Sequence, residues 1–446
     1  MKSKIIKNLL IKKIFIDSRQ VSENSVFVCI KGTKNDGHKF IKLILDRYKK
    51  TVIICDKKSK LAKNYKDKSR VLFCNSTIKF LSDLAKIKRL ILNKYIFIGI
   101  TGSSGKTTLK EILYSVLKKY KPSYKSQKSF NNAIGLPYTL INQTNKTKYN
   151  IYEIGMNKIG EIKYLSNILK PNIGIITNIG EAHIGNLGSV KNIARAKSEI
   201  INNITKGGYI ILNRDCKFFS KLEKISKKNK LKILTFGSNF KSTITYEIIK
   251  ENILKIKLRK KIIKLKLREI NLNNINNILI SILVLNILRL NIKISKKLLS
   301  NIKSIRGRGN RIKLNNKKIE IIDDSYNSNP VSLKNSIYQF NKIKTNKKKY
   351  LVIGDMLELG KFSEKKHLEI GKYLKLMKFD RIFLVGKHTS KIFFQIKSTF
   401  WCKYFNNINN FSKYFKNLLM ENSIIMFKAS NGVGLNKLLN KKIYKC

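Results

Sequence analysis

The chain of 446 residues is 43% hydrophobic, so it is too long for one ordinary core and predicts two or three domains. Its longest apolar stretch, near residues 278–285, is far shorter than the roughly 20 residues of a transmembrane helix, and its lysine-interrupted N-terminus does not fit a signal peptide, so we predict a cytoplasmic protein with no membrane span. The net charge of +68 would attract nucleic acid. However, the lysines are spread along the whole chain together with an excess of Ile and Asn, so we attribute the charge to a biased base composition of the gene. We therefore expect no specific nucleic-acid partner.

The N-terminal segment, residues 15–41, contains a strand-like run from Val26 to Ile30 between polar turns. Ser18 and Arg19 precede this run, and Lys31 follows it. The guanidinium of Arg19 offers a planar fork that suits a phosphate or a carboxylate, although this pattern alone does not define a site. The cysteines of the chain show no paired spacing, which predicts free thiols in a reducing compartment, without disulfide or zinc. They are Cys29, Cys55, Cys74, Cys216, Cys402 and Cys446.

Residues 95–117, YIFIGITGSSGKTTLKEILYSVL, have the pattern of a strand, a glycine turn and a helix. Tyr95 to Ile100 is a continuous apolar run, as in a strand buried on both faces of a parallel sheet, and from Leu109 the apolar positions follow one helical face. Such a turn places backbone N–H groups at a helix N-terminus, where phosphate is stabilised. Lys106 would then reach the β- and γ-phosphates, and Thr107 would bind Mg²⁺. The spacing is a shorter variant of the standard pattern, and a glycine turn before an ordinary helix is the alternative.

Two further apolar strands are each followed by a residue that can bind a cation. Glu153 ends the run YNIYE, and His183 follows the run PNIGIITNIG. Parallel strands end at the same edge of a sheet, so both side chains can face the phosphate turn, and a carboxylate and an imidazole are suitable ligands. A salt-bridged Glu153 and a surface-loop His183 are the alternatives. Lys197, in ARAKSEI, begins or lies within a helix, and its alternative is simple surface charge.

The last third of the chain has the pattern of a second α/β domain, which follows a flexible basic turn at residues 304–312. Asp323 and Asp324 end an apolar strand and precede a helical pattern. This acidic pair could belong to the sheet of a motor-type NTPase, but its position far beyond the phosphate turn favours another sheet. Alternation of strands and helices is typical of an α/β fold. The later strand-like segments are residues 349–360, 380–386 and 423–430, and a helix is predicted over 363–377.

Together and in this order, these motifs resemble one family over nearly the whole chain, the Mur ligases. Within that family they are most similar to the ligases that add D-alanyl-D-alanine to UDP-N-acetylmuramoyl-tripeptide. The motifs are DSR, VFVCIKG, DGH, TGSSGKTT, SFNNAIGLP, YEIGMNKIGEI, TNIGEAHIG, AKSEI, GRG, DDSYNSNP and VIGDMLELG. The Asn-Asn-Ala-Ile-Gly-Leu-Pro and Glu-Ile-Gly-Met-Asn elements distinguish this group best from its siblings.

The resemblance implies an α/β fold of three domains. Residues 1–93 would form a small α/β UDP-substrate domain, residues 94–309 a central P-loop ATPase domain with a parallel sheet, and residues 310–446 a Rossmann-like ligase domain. The implied function is an ATP-dependent amide ligase that forms ADP and phosphate through an acyl phosphate in cytoplasmic peptidoglycan precursor synthesis. ATP and Mg²⁺ are the expected cofactors. UDP-N-acetylmuramoyl-tripeptide and D-alanyl-D-alanine are the expected substrates, and a monomer is the expected state.

The resemblance also implies roles for particular residues. The catalytic group would be Lys106, Glu153, His183 and Lys197. ATP would contact Gly102, Ser103, Ser104, Gly105, Lys106, Thr107, Thr108, Asn277, Arg308 and Asp324. The substrates would contact Ser18, Arg19, Lys31, Asn131 and Asn132. Mg²⁺ would be held by Thr107, Glu153 and His183, and Lys197 matches a lysine that some family members carbamoylate.

Two segments depart from the family pattern. Asn273 stands where the family has a histidine, and residues 428–431 read Lys-Ala-Ser-Asn instead of Lys-Gly-Ser-Arg, which removes a guanidinium. Three alternatives to the implied function stay open at this point. They are a sibling ligase for a diamino acid or a folylpolyglutamate synthase, a basic nucleic-acid-binding NTPase, and a structural remnant without catalysis.

Overall fold

A computed structural model gives the structure of the protein over residues 8–32, 35–127, 130–250, 252–267, 272–302, 305–314, 318–419 and 422–443. Over these residues the chain forms three β-sheets with helices packed around them, which confirms the predicted α/β class. The helices in these ranges are all too short or too polar to cross a bilayer.

The strands divide among the three sheets in chain order. The first sheet contains β1 (Ile14–Phe15), β2 (Val26–Val28), β3 (Val52–Asp56) and β4 (Val71–Cys74). The second contains β5 (Ile96–Thr101), β6 (Ser123–Lys125), β7 (Tyr149–Glu153), β8 (Ile173–Ile176), β9 (Tyr209–Asn213), β10 (Lys232–Phe236), β11 (Ile244–Lys250), β12 (Ile253–Leu258) and β13 (Lys261–Lys266). The third contains β14 (Asn310–Leu314), β15 (Ile319–Asp324), β16 (Lys348–Gly354), β17 (Arg381–Val385), β18 (Cys402–Phe405) and β19 (Ser423–Lys428).

Most strands are connected through helices, as parallel pairing requires. The α-helices are Ile41–Arg47, Thr77–Ile91, Lys106–Leu117, Gly135–Ile141, Glu161–Leu169, Ile184–Leu187, Val190–Ser198, Phe219–Lys228, Leu272–Ile287, Ile292–Ser300, Pro330–Asn341, Ser363–Leu374, Ser390–Ile396, Ile408–Leu418 and Leu435–Lys442. Short 3₁₀ turns lie at Ser18–Gln20, Gly37–Phe40, Lys60–Tyr65, Glu199–Asn203, Gly360–Phe362 and Asn431–Val433.

The first sheet is parallel, in the order β1-β2-β3-β4. The helix Thr77–Ile91 follows it and packs against the helix Gly135–Ile141 of the second sheet's segment. The Asn142 side chain adds a polar link, because its amide oxygen accepts from the N–H of Ile14 and its amide nitrogen donates to the Ile14 carbonyl, each at 3.0 Å. The first sheet is therefore fixed to the second by both apolar and polar contacts.

The second sheet has the order β13-β12-β11-β10-β9-β8-β5-β7-β6. β5 corresponds to the apolar run predicted as a strand, and it lies between β7 and β8, with all three parallel. This arrangement brings the C-terminal ends of the three strands to one edge. At the other end of the sheet, β11 to β13 form an antiparallel meander that the sequence analysis did not predict.

The third sheet has the order β14-β15-β19-β16-β17-β18, and every pair is parallel except β14 with β15. Asp323 and Asp324 end β15, so the prediction that this pair belongs to a sheet other than the phosphate-turn sheet is confirmed. The next helix begins at Pro330 with a capping box, in which Asn329 and Ser332 exchange hydrogen bonds.

The sheets occupy separate stretches of sequence, residues 14–74, 96–266 and 310–428. The domain limits of 1–93, 94–309 and 310–446 stay a prediction, because helices between the sheets pack on both neighbours. One example is Thr77–Ile91, which belongs to the first stretch by sequence and contacts the second.

The cysteines within the described residues are free thiols, and Cys446 lies outside those residues. Cys29 directly follows β2 and Cys55 lies on the neighbouring strand β3. Their sulfurs are 3.7 Å apart, and both side chains are fully buried. Spacing along the chain gave no sign of this pair, since parallel strand pairing brings the two residues together.

Candidate active site

The glycine turn after β5 has the backbone shape of a phosphate-binding loop. Gly102 has φ 151° and Gly105 has φ 79°, conformations that side chains other than glycine rarely adopt. A Cβ at Gly102 would lie 1.9 Å from Oγ1 of Thr177, so only glycine fits there. The helix starts at Lys106, directly after the turn. Its unpaired first N–H groups and its dipole therefore point at the turn, where an anion is stabilised.

Residues that follow β8 brace this loop from the side. The Asn178 side chain accepts from the N–H of Ser104 at 2.8 Å and donates to its hydroxyl at 2.5 Å, while its backbone carbonyl accepts from the N–H of Ser103. The Thr177 hydroxyl donates to the Ser104 carbonyl at 2.7 Å. The loop is thus held in one conformation by the neighbouring strand end.

Glu153 lies at the end of β7, on the other side of the loop, and is only 3% exposed. Its two carboxylate oxygens accept from the Thr107 hydroxyl at 2.8 Å and from the Asn131 amide at 2.9 Å. The guanidinium of Arg308 donates to the same Thr107 hydroxyl at 3.0 Å. A carboxylate, a hydroxyl, an amide and a guanidinium from four separate segments therefore converge beside the phosphate loop.

Lys106 and Lys197 place two amines in the same region. Lys106 Nζ donates to the Gly102 carbonyl at 2.9 Å. Burial lowers the pKa of Lys106, while the carboxylates of Glu153 and Glu358 oppose that change. Lys197 lies inside the helix Val190–Ser198 and is 1% exposed, so the surface-charge alternative is wrong. Burial, with a further effect from the charge on Lys106, holds the pKa of Lys197 well below its ordinary value.

His183 lies after β8 in the left-handed conformation, with φ 65°, and precedes the short helix Ile184–Leu187. Its Nδ1 lies 2.9 Å from Oε2 of Glu358 in the third sheet's segment. The two atoms are not aligned as a hydrogen bond, so this buried nitrogen has no hydrogen-bond partner among the described residues. The interaction with His183 lowers the pKa of Glu358 despite its partial burial, and Lys106 acts in the same direction. The Glu358 carboxylate therefore interacts electrostatically both with His183 and with Lys106 of the phosphate loop.

Comparison with known proteins places these features in a family. Residues 10–89 match the family model for the Mur ligase family catalytic domain, residues 100–285 that for the Mur ligase middle domain, and residues 307–431 that for the Mur ligase glutamate ligase domain. The chain is 32% identical to the UDP-N-acetylmuramoyl-tripeptide--D-alanyl-D-alanine ligase of Rickettsia prowazekii (strain Madrid E), over 96% of this chain and 94% of that protein. The chain belongs to the Mur ligase family.

Solved structures of Mur ligases have the same fold. MurF from Acinetobacter baumannii matches with a TM-score of 0.85 and 26% identity, over 96% of this chain and 92% of that chain. MurF ligase from Thermotoga maritima, solved in complex with ADP, matches with a TM-score of 0.82 and 26% identity, over 98% of this chain and 99% of that chain.

The remaining residues of this Mur ligase predicted to contact ATP are Asn277, Arg308 and Asp324. Asn277 is buried in the helix Leu272–Ile287, and its Oδ1 would lie 3.8 Å from a Cβ at Gly105. Arg308 reaches Thr107, as described above. Asp324 instead binds Lys428 at 2.8 Å and the hydroxyl of Ser336 at 2.7 Å, both within the third sheet's segment. Its predicted contact with ATP stays a prediction.

The substrate candidates of this Mur ligase fall into two groups. Ser18 and Arg19 lie in the 3₁₀ turn after β1, and the Arg19 side chain is 86% exposed and paired with Asp17 at 2.7 Å. Lys31 is also exposed, after β2. Asn131 contacts Glu153. Asn132 instead accepts the N–H groups of residues 134 and 135 at the start of a helix, which gives it a structural role in addition to the predicted one.

Sequence reasoning missed three side chains of this site. Asn178, which braces the loop, is an ordinary residue type in an Asn-rich chain. Lys110 is fully buried one helical turn after Lys106 and donates to the Ser126 carbonyl at 2.9 Å. Burial lowers the pKa of Lys110, and the charge on Glu153 opposes that change. Glu358 lies in the motif VIGDMLELG. Acidic residues are rare in this Mur ligase, and an acidic residue two positions before a glycine was the available signal for Glu358.

Proposed function

We propose that this protein is an ATP-dependent ligase that joins D-alanyl-D-alanine to UDP-N-acetylmuramoyl-tripeptide in peptidoglycan precursor synthesis. The observation that carries the proposal is the 32% sequence identity to the Rickettsia prowazekii enzyme of that name, along nearly the full length of both chains. The ADP complex of the Thermotoga maritima MurF ligase supports the use of ATP. Both relatives are matched across all three sheets, so the proposal covers the whole chain.

The nucleotide phosphates would bind in the loop from Gly102 to Thr108. Its left-handed glycines turn backbone N–H groups toward the anion, and the helix that starts at Lys106 adds its positive end. The Lys106 amine would move from the Gly102 carbonyl to the transferring phosphoryl group and offset the charge that spreads over it. Arg308 would bring a second fixed positive charge from the basic turn that precedes the third sheet.

The residues around Glu153 fit a Mg²⁺ ion in their chemistry. Hard cations prefer oxygen ligands, and the buried Glu153 carboxylate and the Thr107 hydroxyl supply them side by side. His183 would contribute Nε2, because its Nδ1 faces Glu358. Bound there with ATP, the ion would neutralise phosphate charge.

The reaction requires activation of a carboxylate, because oxide is a very poor leaving group. We infer that the terminal carboxylate of the tripeptide attacks the γ-phosphorus of ATP, displaces ADP and forms an acyl phosphate. The amine of D-alanyl-D-alanine then attacks the acyl carbon, and phosphate leaves. The chain's contribution is positioning of the reactants and exclusion of water, which would hydrolyse the acyl phosphate.

Lys197 is suited to carbamoylation by its environment. A neutral amine is the form that adds carbon dioxide, and the lowered pKa of Lys197 favours the neutral form. We propose that the resulting carbamate supplies a further anionic ligand near Lys106. The proposal also includes a cytoplasmic location and a monomeric state.

The test is ATP turnover with UDP-N-acetylmuramoyl-tripeptide, with and without D-alanyl-D-alanine, for wild type and Lys106→Ala. We expect phosphate release by the wild type to depend on the dipeptide and to be lost in Lys106→Ala. The exposed Lys119, just after the same helix, gives the matched control Lys119→Ala, which should behave as wild type. Thermal unfolding checks that both variants are folded.

Several outcomes would contradict the proposal. Near-normal phosphate release by Lys106→Ala would refute the loop assignment. Turnover that depends on a single amino acid instead of the dipeptide would indicate a sibling ligase, and stimulation by DNA or RNA would indicate a nucleic-acid-dependent NTPase.

A further inference from the structure

The loop after β16 contacts the turn that carries His183 through backbone atoms. The Glu358 carbonyl accepts from the N–H of Gly185 at 3.0 Å. A Cβ at Gly185 would lie 2.5 Å from the backbone nitrogen of Gly360, so the two segments touch without room for a side chain. The C-terminal sheet is therefore docked directly onto the turn that follows β8.

A second contact joins the same two segments. Lys366, in the helix Ser363–Leu374, binds the Glu181 carboxylate at 2.7 Å, and both side chains are largely buried. Glu181 lies just before His183, so the turn is held from the C-terminal segment on both sides of the histidine.

The loop that presents Glu358 is itself well fixed. The N–H of Met356 donates to His367 Nε2 at 3.1 Å, and the N–H of Leu357 donates to the Ser430 hydroxyl at 2.9 Å. Glu358 has φ 65°, a left-handed conformation that is unfavourable for a residue with a side chain. Such strain persists only where the surrounding structure requires it, and it is concentrated at functional sites.

The Glu358 carboxylate lies close to a buried nitrogen of His183. Nδ1 of His183 has no hydrogen-bond partner among the described residues, yet it lies 2.9 Å from Oε2 of Glu358. A small rotation of either side chain would align this contact, and catalytic hydrogen bonds are often poorly aligned before ligands bind. A carboxylate on one ring nitrogen fixes the orientation of the ring and raises the basicity of the other nitrogen.

We propose that Glu358 is a positioning residue for the ligase reaction, which holds His183 in the orientation that receives the metal-bound nucleotide. The inference rests on the proposed function. Because Glu358 comes from the C-terminal segment and His183 from the central one, the site is complete only when the C-terminal sheet is docked. Chemistry is thereby coupled to docking through one carboxylate–imidazole contact.

The experiment compares wild type, Glu358→Gln and Glu358→Ala in steady-state turnover over a range of Mg²⁺ concentrations. We expect Glu358→Ala to lower kcat by about 10- to 100-fold and to raise the Mg²⁺ concentration for half-maximal rate by a similar factor. KM for UDP-N-acetylmuramoyl-tripeptide should not change. Glu358→Gln should be intermediate, because its amide oxygen can still accept from Nδ1. The matched control is Glu364→Gln, which removes an exposed carboxylate that pairs with Lys391 in the same sheet's segment.

Wild-type kcat and Mg²⁺ dependence in Glu358→Ala would overturn the inference, as would an equal loss in Glu364→Gln. Unfolding curves separate an effect on the site from an effect on the fold. If the wild type binds ATP but shows no dipeptide-dependent turnover, the proposed function fails, and the same variants are then compared in the Mg²⁺ dependence of ATP binding. Unchanged Mg²⁺ dependence there would overturn the role of Glu358 independently.

Discussion

The substitution Gly185→Ala tests whether the docked arrangement is the active one. The new Cβ would lie 2.5 Å from the nitrogen of Gly360, 2.6 Å from the carbonyl carbon of Leu359 and 2.7 Å from the carbonyl oxygen of Glu358. All three are backbone atoms, which cannot rotate away as a flexible side chain would. Gly185 lies in the helix Ile184–Leu187, so alanine suits its own backbone conformation.

The size of the effect follows from this overlap. Ordinary Cβ contacts begin at 3.4 Å, so the two segments must separate by nearly an ångström. Overpacking of this kind costs about 1–3 kcal/mol, which corresponds to an approximately 5- to 150-fold fall in the equilibrium constant for docking. Alanine is about 1 kcal/mol better than glycine inside a helix, so the free energy of unfolding of the central segment should not decrease.

The assay is steady-state turnover with ATP, UDP-N-acetylmuramoyl-tripeptide and D-alanyl-D-alanine, together with thermal unfolding. We expect kcat to fall by up to this factor, with little change in the unfolding temperature. Asn186→Ala is the control, because Asn186 is exposed on the same short helix. Full activity of Gly185→Ala would refute the reasoning that this backbone contact belongs to the catalytic state.

Two further predictions concern stability. Arg89→Ala should lower the free energy of unfolding by about 2–4 kcal/mol, as measured by denaturant titration. The reason is that the buried guanidinium lies 4.0 Å from the centre of the Phe97 ring and donates to two main-chain carbonyls. Lys79 is exposed on the same helix, so Lys79→Ala should have almost no effect. The contact with Cys55 and burial raise the pKa of Cys29. Above about pH 8.5 the unfolded chain therefore loses a proton that the folded chain keeps, and the thiol's contribution to stability is lost as the pH rises further. Cys29→Ala should show a weaker fall in the free energy of unfolding between neutral and alkaline pH, and an unchanged fall would contradict this reasoning.

The local parts of the fold were predictable because their patterns are unambiguous. The apolar run ending at Ile100 and the glycines after it predicted a buried strand and a phosphate turn, and the structure has β5 followed by a helix from Lys106. The meander of β11 to β13 was missed for a physical reason. Its alternation of apolar residues with lysine, seen at 253–258, also arises by chance in a chain so rich in Ile and Lys.

The candidate site was predictable only where it depends on neighbouring strands. Glu153 ends β7 and His183 follows β8, the strands on either side of β5, so the rule for parallel sheets was enough to predict that both residues lie at one edge of the sheet. Glu358 approaches from another sheet, and its position depends on how two sheets dock, which no local pattern specifies. The burial of Lys197 was missed because a lysine in a helix is usually at the surface.

The link between Asn142 and Ile14 has a consequence for how the molecule unfolds. The Asn142 amide pairs with both backbone groups of Ile14 and so continues the hydrogen bonding of that strand. The helix Thr77–Ile91 also packs on the helix Gly135–Ile141 and covers its apolar surface. A fragment that starts at residue 94 would uncover that surface. We therefore expect the first two sheets to unfold in one cooperative transition. The unit that unfolds cooperatively would then be larger than either sheet with its own helices.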